Sequence, residues 1–149
     1  MICYKGHSII SPLGFSSEET FDAVRALSEG VVKDSAAKLY DDLFDIPEPF
    51  FASLIDSYEL STAFERISTG VRYTKVEQAA ILAAYGAINK AGIDPAADNV
   101  IFILSSTKGN VELLDNCAGF YRERVYLWKS AVLIASFFGN NNVPSVVSN

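Results

Sequence analysis

The chain has 149 residues, half of them hydrophobic and a fifth charged, with a formal net charge of −6 and a pI near 4.7. That is one domain's worth of sequence, able to bury roughly two-thirds of its unfolded surface, which excludes a disordered polymer. The acidic balance leaves no surplus of Lys and Arg to displace counterions, so nucleic acid is not an expected partner.

Met1 to Ile10 carries Lys5 and His7 and no small-residue cleavage site after it, so it does not read as a secretory signal. Its apolar runs, Ile2-Cys3-Tyr4 and Ile9-Ile10, predict a strand near 2–10, closed by the turn Ser11-Pro12-Leu13-Gly14. Ser16 and Glu19 have capping-box spacing, and Phe21, Val24 and Leu27 follow at helical intervals before Gly30. A helix is expected near 17–28. Residues 31–72 are acidic through Asp34, Asp41, Asp42, Asp45 and Glu48, and Pro47 and Pro49 forbid a continuous element. Short helices and loops are expected there, with helical spacing at Leu60, Phe64 and Ile67. The carboxylates lack a histidine or an ordered ligand spacing, so they read as a solvated surface rather than a metal site.

Thr74 and Glu77 form a second capping box. Val76, Ala79, Ala80, Ala83, Ala87, Ile88 and Ala91 then mark a helix over 75–91, with Gly92 where a left-handed cap belongs. The alanine-rich face predicts close approach of a neighbouring backbone. Val100 to Leu104 is apolar without alternation, the pattern of a strand covered on both faces. Ser105 to Asn110 is the loop at its carboxyl end, where α/β sheets hold ligands. Val111 to Asn116 reads as one or two helical turns. A longer helix is predicted near 122–138, its buried side marked by Val125, Trp128, Val132, Ala135 and Phe138, with Gly139 as its stop. After the polar turn Asn140-Asn141-Asn142, the run 143–149 begins a strand and the sequence ends, as a cut chain would. Alternating helices and strands imply an α/β layered fold, although three visible strands are few for such a sheet.

The chemistry is sparse. His7 is the lone histidine, so no Ser/His/Asp set is expected without further His candidates. Set beside Gly6, it reads as structural or exposed. Neither GxGxxG nor GxxxxGK[ST] occurs, and no Cys/His cluster has zinc spacing. Cys117 follows Asp115, a neighbour that disfavours thiolate, and Cys3 reads as a small core hydrophobe. Two cysteines are too few for a disulfide framework, so a reduced, cytoplasmic protein is expected. No run of the roughly 18 apolar residues needed to span a membrane occurs.

Four stretches in order carry a resemblance. They are Gly6 to Gly14, Gln78 to Ile93, Val100 to Asn110, and Phe137-Phe138-Gly139 through Val146-Val147-Ser148-Asn149. Together they resemble the N-terminal half of a β-ketoacyl synthase, a condensing enzyme of the thiolase-like fold: its opening strand and Ser-Pro-Leu-Gly turn, its alanine-rich helix ending in Ala-Gly, a strand with a small-residue loop, and the strand that feeds the nucleophile. The likeness spans nearly all of the chain except 31–72.

The resemblance implies an α/β, thiolase-like α-β-α architecture with a mixed sheet flanked by helices, of which residues 1–149 are an incomplete N-terminal domain. It implies decarboxylative Claisen condensation of malonyl-carrier protein with an acyl thioester in fatty acid or polyketide-type synthesis. The family's catalytic Cys, at a helix N-terminus that lowers its pKa, and its two His would all lie beyond Asn149. No catalytic residue and no metal ligand therefore falls on this chain, which is expected to be inactive alone. Thr107, Lys108 and Gly109 occupy the place of the acyl-pocket loop. Lys108 departs from the family's small or apolar residues there, and an unpaired buried charge would be costly, so either Lys108 turns to solvent or the pocket handles something other than a plain long acyl chain. No cofactor is implied, since phosphopantetheine arrives on the carrier. The implied partners are acyl carrier protein, the C-terminal half of the enzyme and further copies in a homo-oligomer, whose association would bury exposed faces of helices 75–91 and 122–138. Two alternatives remain: a non-catalytic partner subunit of a condensing enzyme, and an independent small α/β binding module.

Overall fold

The computed structural model describes residues 2–26, 53–68, 70–115 and 119–148. Helix α1, Ser17–Arg25, starts where the Ser16 Oγ accepts the Glu19 amide at 3.1 Å. The Glu19 carboxylate reaches back past the cap to the Phe15 amide at 2.7 Å. The Ser-Pro-Leu-Gly turn closes on itself, with the Ser11 and Gly14 amides exchanging bonds to each other's carbonyls at 2.9 and 3.2 Å. Helix α2, Ser57–Glu65, is capped by Asp56, whose Oδ1 accepts two first-turn amides. It is one of the short helices expected within 31–72; the acidic stretch 34–48 and the end of the predicted first helix at 27–28 lie outside the described residues.

Helix α3, Lys75–Ala91, carries the complete Thr74–Glu77 capping box and ends at Gly92 in the left-handed region, φ 62°. Helix α4, Leu127–Phe137, is shorter than the predicted 122–138, because Arg122–Val125 is a separate 3-10 turn and Tyr126 is extended. A second 3-10 turn covers Val111–Leu114. The strands are β1, Ile103–Ser105, and β2, Ser145–Val147, paired in parallel with Leu104 opposite Val146. α4 lies in the crossover between them, making a β-α-β unit. The chain is thus α/β in class, with a two-stranded sheet among the described residues.

The core lies where α2, α3 and α4 meet. Phe64, Tyr73, Ile81 and Ile134 are buried there, with Phe102, Leu104 and Phe137 packed against them. Full burial of a side chain such as Ile81 contributes roughly 1.5–3 kcal/mol. Phe64, Tyr73 and Phe137 form a ring cluster with centroids 5.5–5.9 Å apart. Beyond α4, the Asn140–Asn142 turn is a clamp. Asn140 Nδ2 donates to the carbonyls of Pro95 and Val100 at 2.6 and 3.0 Å, and Asn142 Nδ2 to that of Val100 at 2.8 Å.

Three regions depart from expectation. Residues 2–10 form no strand: they run extended along α3, with Gly6, Ser8 and Ile10 turned inward and alternate residues exposed. A Cβ on Gly6 would stand 2.8 Å from the Ala87 carbonyl oxygen, so the close approach predicted for the alanine face is made by this segment. Cys3 is consequently exposed rather than a core residue. Second, β1 is covered on one face only among the described residues, leaving Ile103 68% exposed. An unbroken apolar run reports hydrophobicity on both faces without supplying the second layer. Third, the buried stripe of α4 is Ser130, Ala131, Ile134 and Ala135, whereas Trp128 is 56% exposed. Apolar residues stand on nearly every side of Leu127–Phe137, so two stripes have helical spacing and periodicity does not choose between them.

Candidate functional site

Because β1 and β2 are parallel, both carboxyl ends reach the same edge of the sheet. The Ser105–Asn110 loop leaves β1 there, and the Ser106 amide donates to the Val147 carbonyl at 3.1 Å, continuing the ladder beyond the strand. Ser106 also organises the loop through its side chain. Its Oγ accepts the Gly109 amide at 3.0 Å and the Lys108 amide at 3.4 Å. Gly109 sits at φ 54°, and a Cβ there would come within 2.4 Å of the Leu127 Cδ2. The positive φ is what favours glycine here; a Cβ would in addition make the Leu127 side chain shift.

Of the three residues expected in an acyl-pocket loop, Thr107 and Lys108 are exposed and Gly109 is half-buried beneath Leu127. The structure brings them together at the sheet edge, as a sequential loop must. Lys108 has turned to solvent, which avoids the desolvation cost of an unpaired ammonium.

The loop ends on Asn110, which is fully buried and which sequence reasoning missed. Its Oδ1 accepts the Thr74 hydroxyl at 2.6 Å. Its Nδ2 faces three acceptors: the Glu77 Oε1 at 3.0 Å, the Arg124 carbonyl at 2.9 Å and the Ser130 Oγ at 3.0 Å. Glu77 is fully buried too, and its carboxylate is saturated. Oε1 accepts Arg124 Nε at 3.0 Å as well as Asn110, and Oε2 accepts the Thr74 amide at 2.9 Å and Arg124 Nη2. The Arg124 guanidinium is held over Phe120, 5.2 Å from the ring centroid, and over Tyr73 at 5.9 Å. Buried charges persist when paired and hydrogen-bonded, and every oxygen here is. This knot ties the first turn of α3, the loop after β1, the 3-10 turn at 122–125 and the first turn of α4. It anchors the sheet-edge loop from behind; its own groups are spent on one another.

The signal for the knot was partly legible. The Thr74–Glu77 spacing marks Glu77 as a capping residue, but Arg124, 47 positions away, carries no mark that pairs it with Glu77.

The other residues weighed from sequence stand apart. His7 is exposed, its ring 5.8 Å from that of Tyr4, and Cys117 lies outside the described residues. Glu18 has its carboxyl held below the usual range, chiefly by the hydrogen bond from Lys90 Nζ at 2.8 Å. That exposed pair links α1 to α3 and is remote in sequence from the loop. Among the described residues, no group of three or more His, Cys, Asp or Glu side chains is placed to hold a metal ion, and no helix is long and apolar enough to cross a membrane. A cleft of about 630 Å³ opens between α2 and the start of α3, walled by Phe64, Tyr73, Gln78 and Phe120 with Arg72 and Lys75 among its cations and Glu65 and Glu112 among its anions.

Neither a family model nor a curated protein matches this chain. The arrangement presents a hydrogen-bonded loop beside the end of a second parallel strand.

Proposed function

We propose that this chain is the amino-terminal part of a β-ketoacyl synthase-type condensing enzyme of thiolase-like fold, and that it is inactive by itself. The observation that carries the reading is the parallel register of Leu104 with Val146, which lays the Ser106–Asn110 loop beside the carboxyl end of β2. In open α/β sheets that edge is where ligands bind. Under the resemblance, the strand at 143–149 feeds the nucleophile, so the loop would flank the acyl group on the missing cysteine. Thr107, Lys108 and Gly109 would then border the substrate, with Lys108 pointing away from an aliphatic chain.

The reaction of the whole enzyme would begin with transfer of an acyl group from a carrier-protein thioester to the cysteine. Malonyl-carrier protein would lose carbon dioxide, and the resulting carbanion would attack the acyl thioester, expelling the thiolate. Acyl carrier protein, the remaining half of the enzyme and further copies of the chain are its proposed partners, in a cytoplasmic setting and without a resident cofactor.

The test has two readouts. The purified 149-residue chain, incubated with a labelled acyl-carrier thioester, is expected to show no acyl adduct by intact mass; a stable adduct on this chain would overturn the reading. Reading the coding sequence past Asn149 is expected to give Ala-Cys. A non-nucleophile in place of the cysteine would instead make the parent a non-catalytic partner subunit, and a stop codon there would make it an independent module.

A further inference from the structure

We draw no further inference here: the strongest candidate, the uncovered apolar face of the β1–β2 sheet presented by Ile101, Ile103 and Val147, is an unpartnered surface, and nothing in the structure shows what covers it.

Discussion

Replacing Arg124 with Met tests the role of the buried knot most directly. Met keeps the apolar stem as far as the Nε position and removes the guanidinium. The Glu77 side chain is fully buried and that of Arg124 is 11% exposed, so water does not replace the lost donors. Glu77 would keep only the Thr74 amide and Asn110 Nδ2. Removing one member of a buried pair costs about 3–5 kcal/mol, and the lost contacts with Phe120 and Tyr73 add to it. Against a total stability of about 5–15 kcal/mol for a domain of this kind, the loss is severe. With a urea slope of about 2 kcal/mol/M, a 4 kcal/mol loss lowers the unfolding midpoint by about 2 M. Urea titration followed by Trp128 fluorescence reads the shift. The neighbouring Arg122→Met, at an exposed position of the same 3-10 turn, serves as control and is expected to stay within about 0.5 kcal/mol. Adding Glu77→Gln to Arg124→Met removes the stranded charge, so the double variant should recover part of the loss. A single variant within 1 kcal/mol of the parent, or a double variant whose loss equals the sum of both singles, would refute the account of Glu77 as a charge dependent on Arg124.

Gly109→Ala places a Cβ against Leu127 at positive φ and should destabilise by about 1–3 kcal/mol, seen as a lower thermal midpoint; an unchanged midpoint would mean that the loop can relax freely. Lys108→Ala, one residue earlier and exposed, should shift stability by no more than about 0.5 kcal/mol, and a loss above 1 kcal/mol would show that Lys108 is not a solvent residue. Gly6→Ala collides with the Ala87 carbonyl, so limited proteolysis within residues 2–10 should accelerate while α3 stays resistant; an unchanged cleavage rate would contradict the packing. Glu18 titrates below the ordinary carboxylate range because Lys90 favours its charged form. Its contribution is therefore present above the unfolded carboxyl pKa and fades as pH falls through the lower folded one. Carbon-detected titration of Glu18 should move toward, without reaching, the ordinary value in Lys90→Met, since its backbone hydrogen bond also favours the charged form, and no movement would remove Lys90 as the cause.

What could be read directly from sequence was local. Both capping signals appear as helix starts, at Ser16 and Thr74, because an N-cap acts over three residues and needs no distant partner. Gly92 ends α3 for the same reason: a left-handed residue is a property of one position. The α/β class followed from the alternation of such elements, and the loop after β1 was found because it is contiguous. Tertiary structure decided everything that requires a choice between faces or partners. Residues 2–10 have strand-like composition, but a strand exists only where another backbone pairs with it, and here the segment lies on α3 instead. Leu127–Phe137 is apolar on nearly every side, so only its neighbours determine that Ala131 and Ile134 face inward while Trp128 faces out. Glu77, Asn110 and Arg124 look like ordinary surface residues in the sequence. Burial becomes tolerable for them only when the fold brings each donor to its acceptor, a condition met in three dimensions and invisible along the chain.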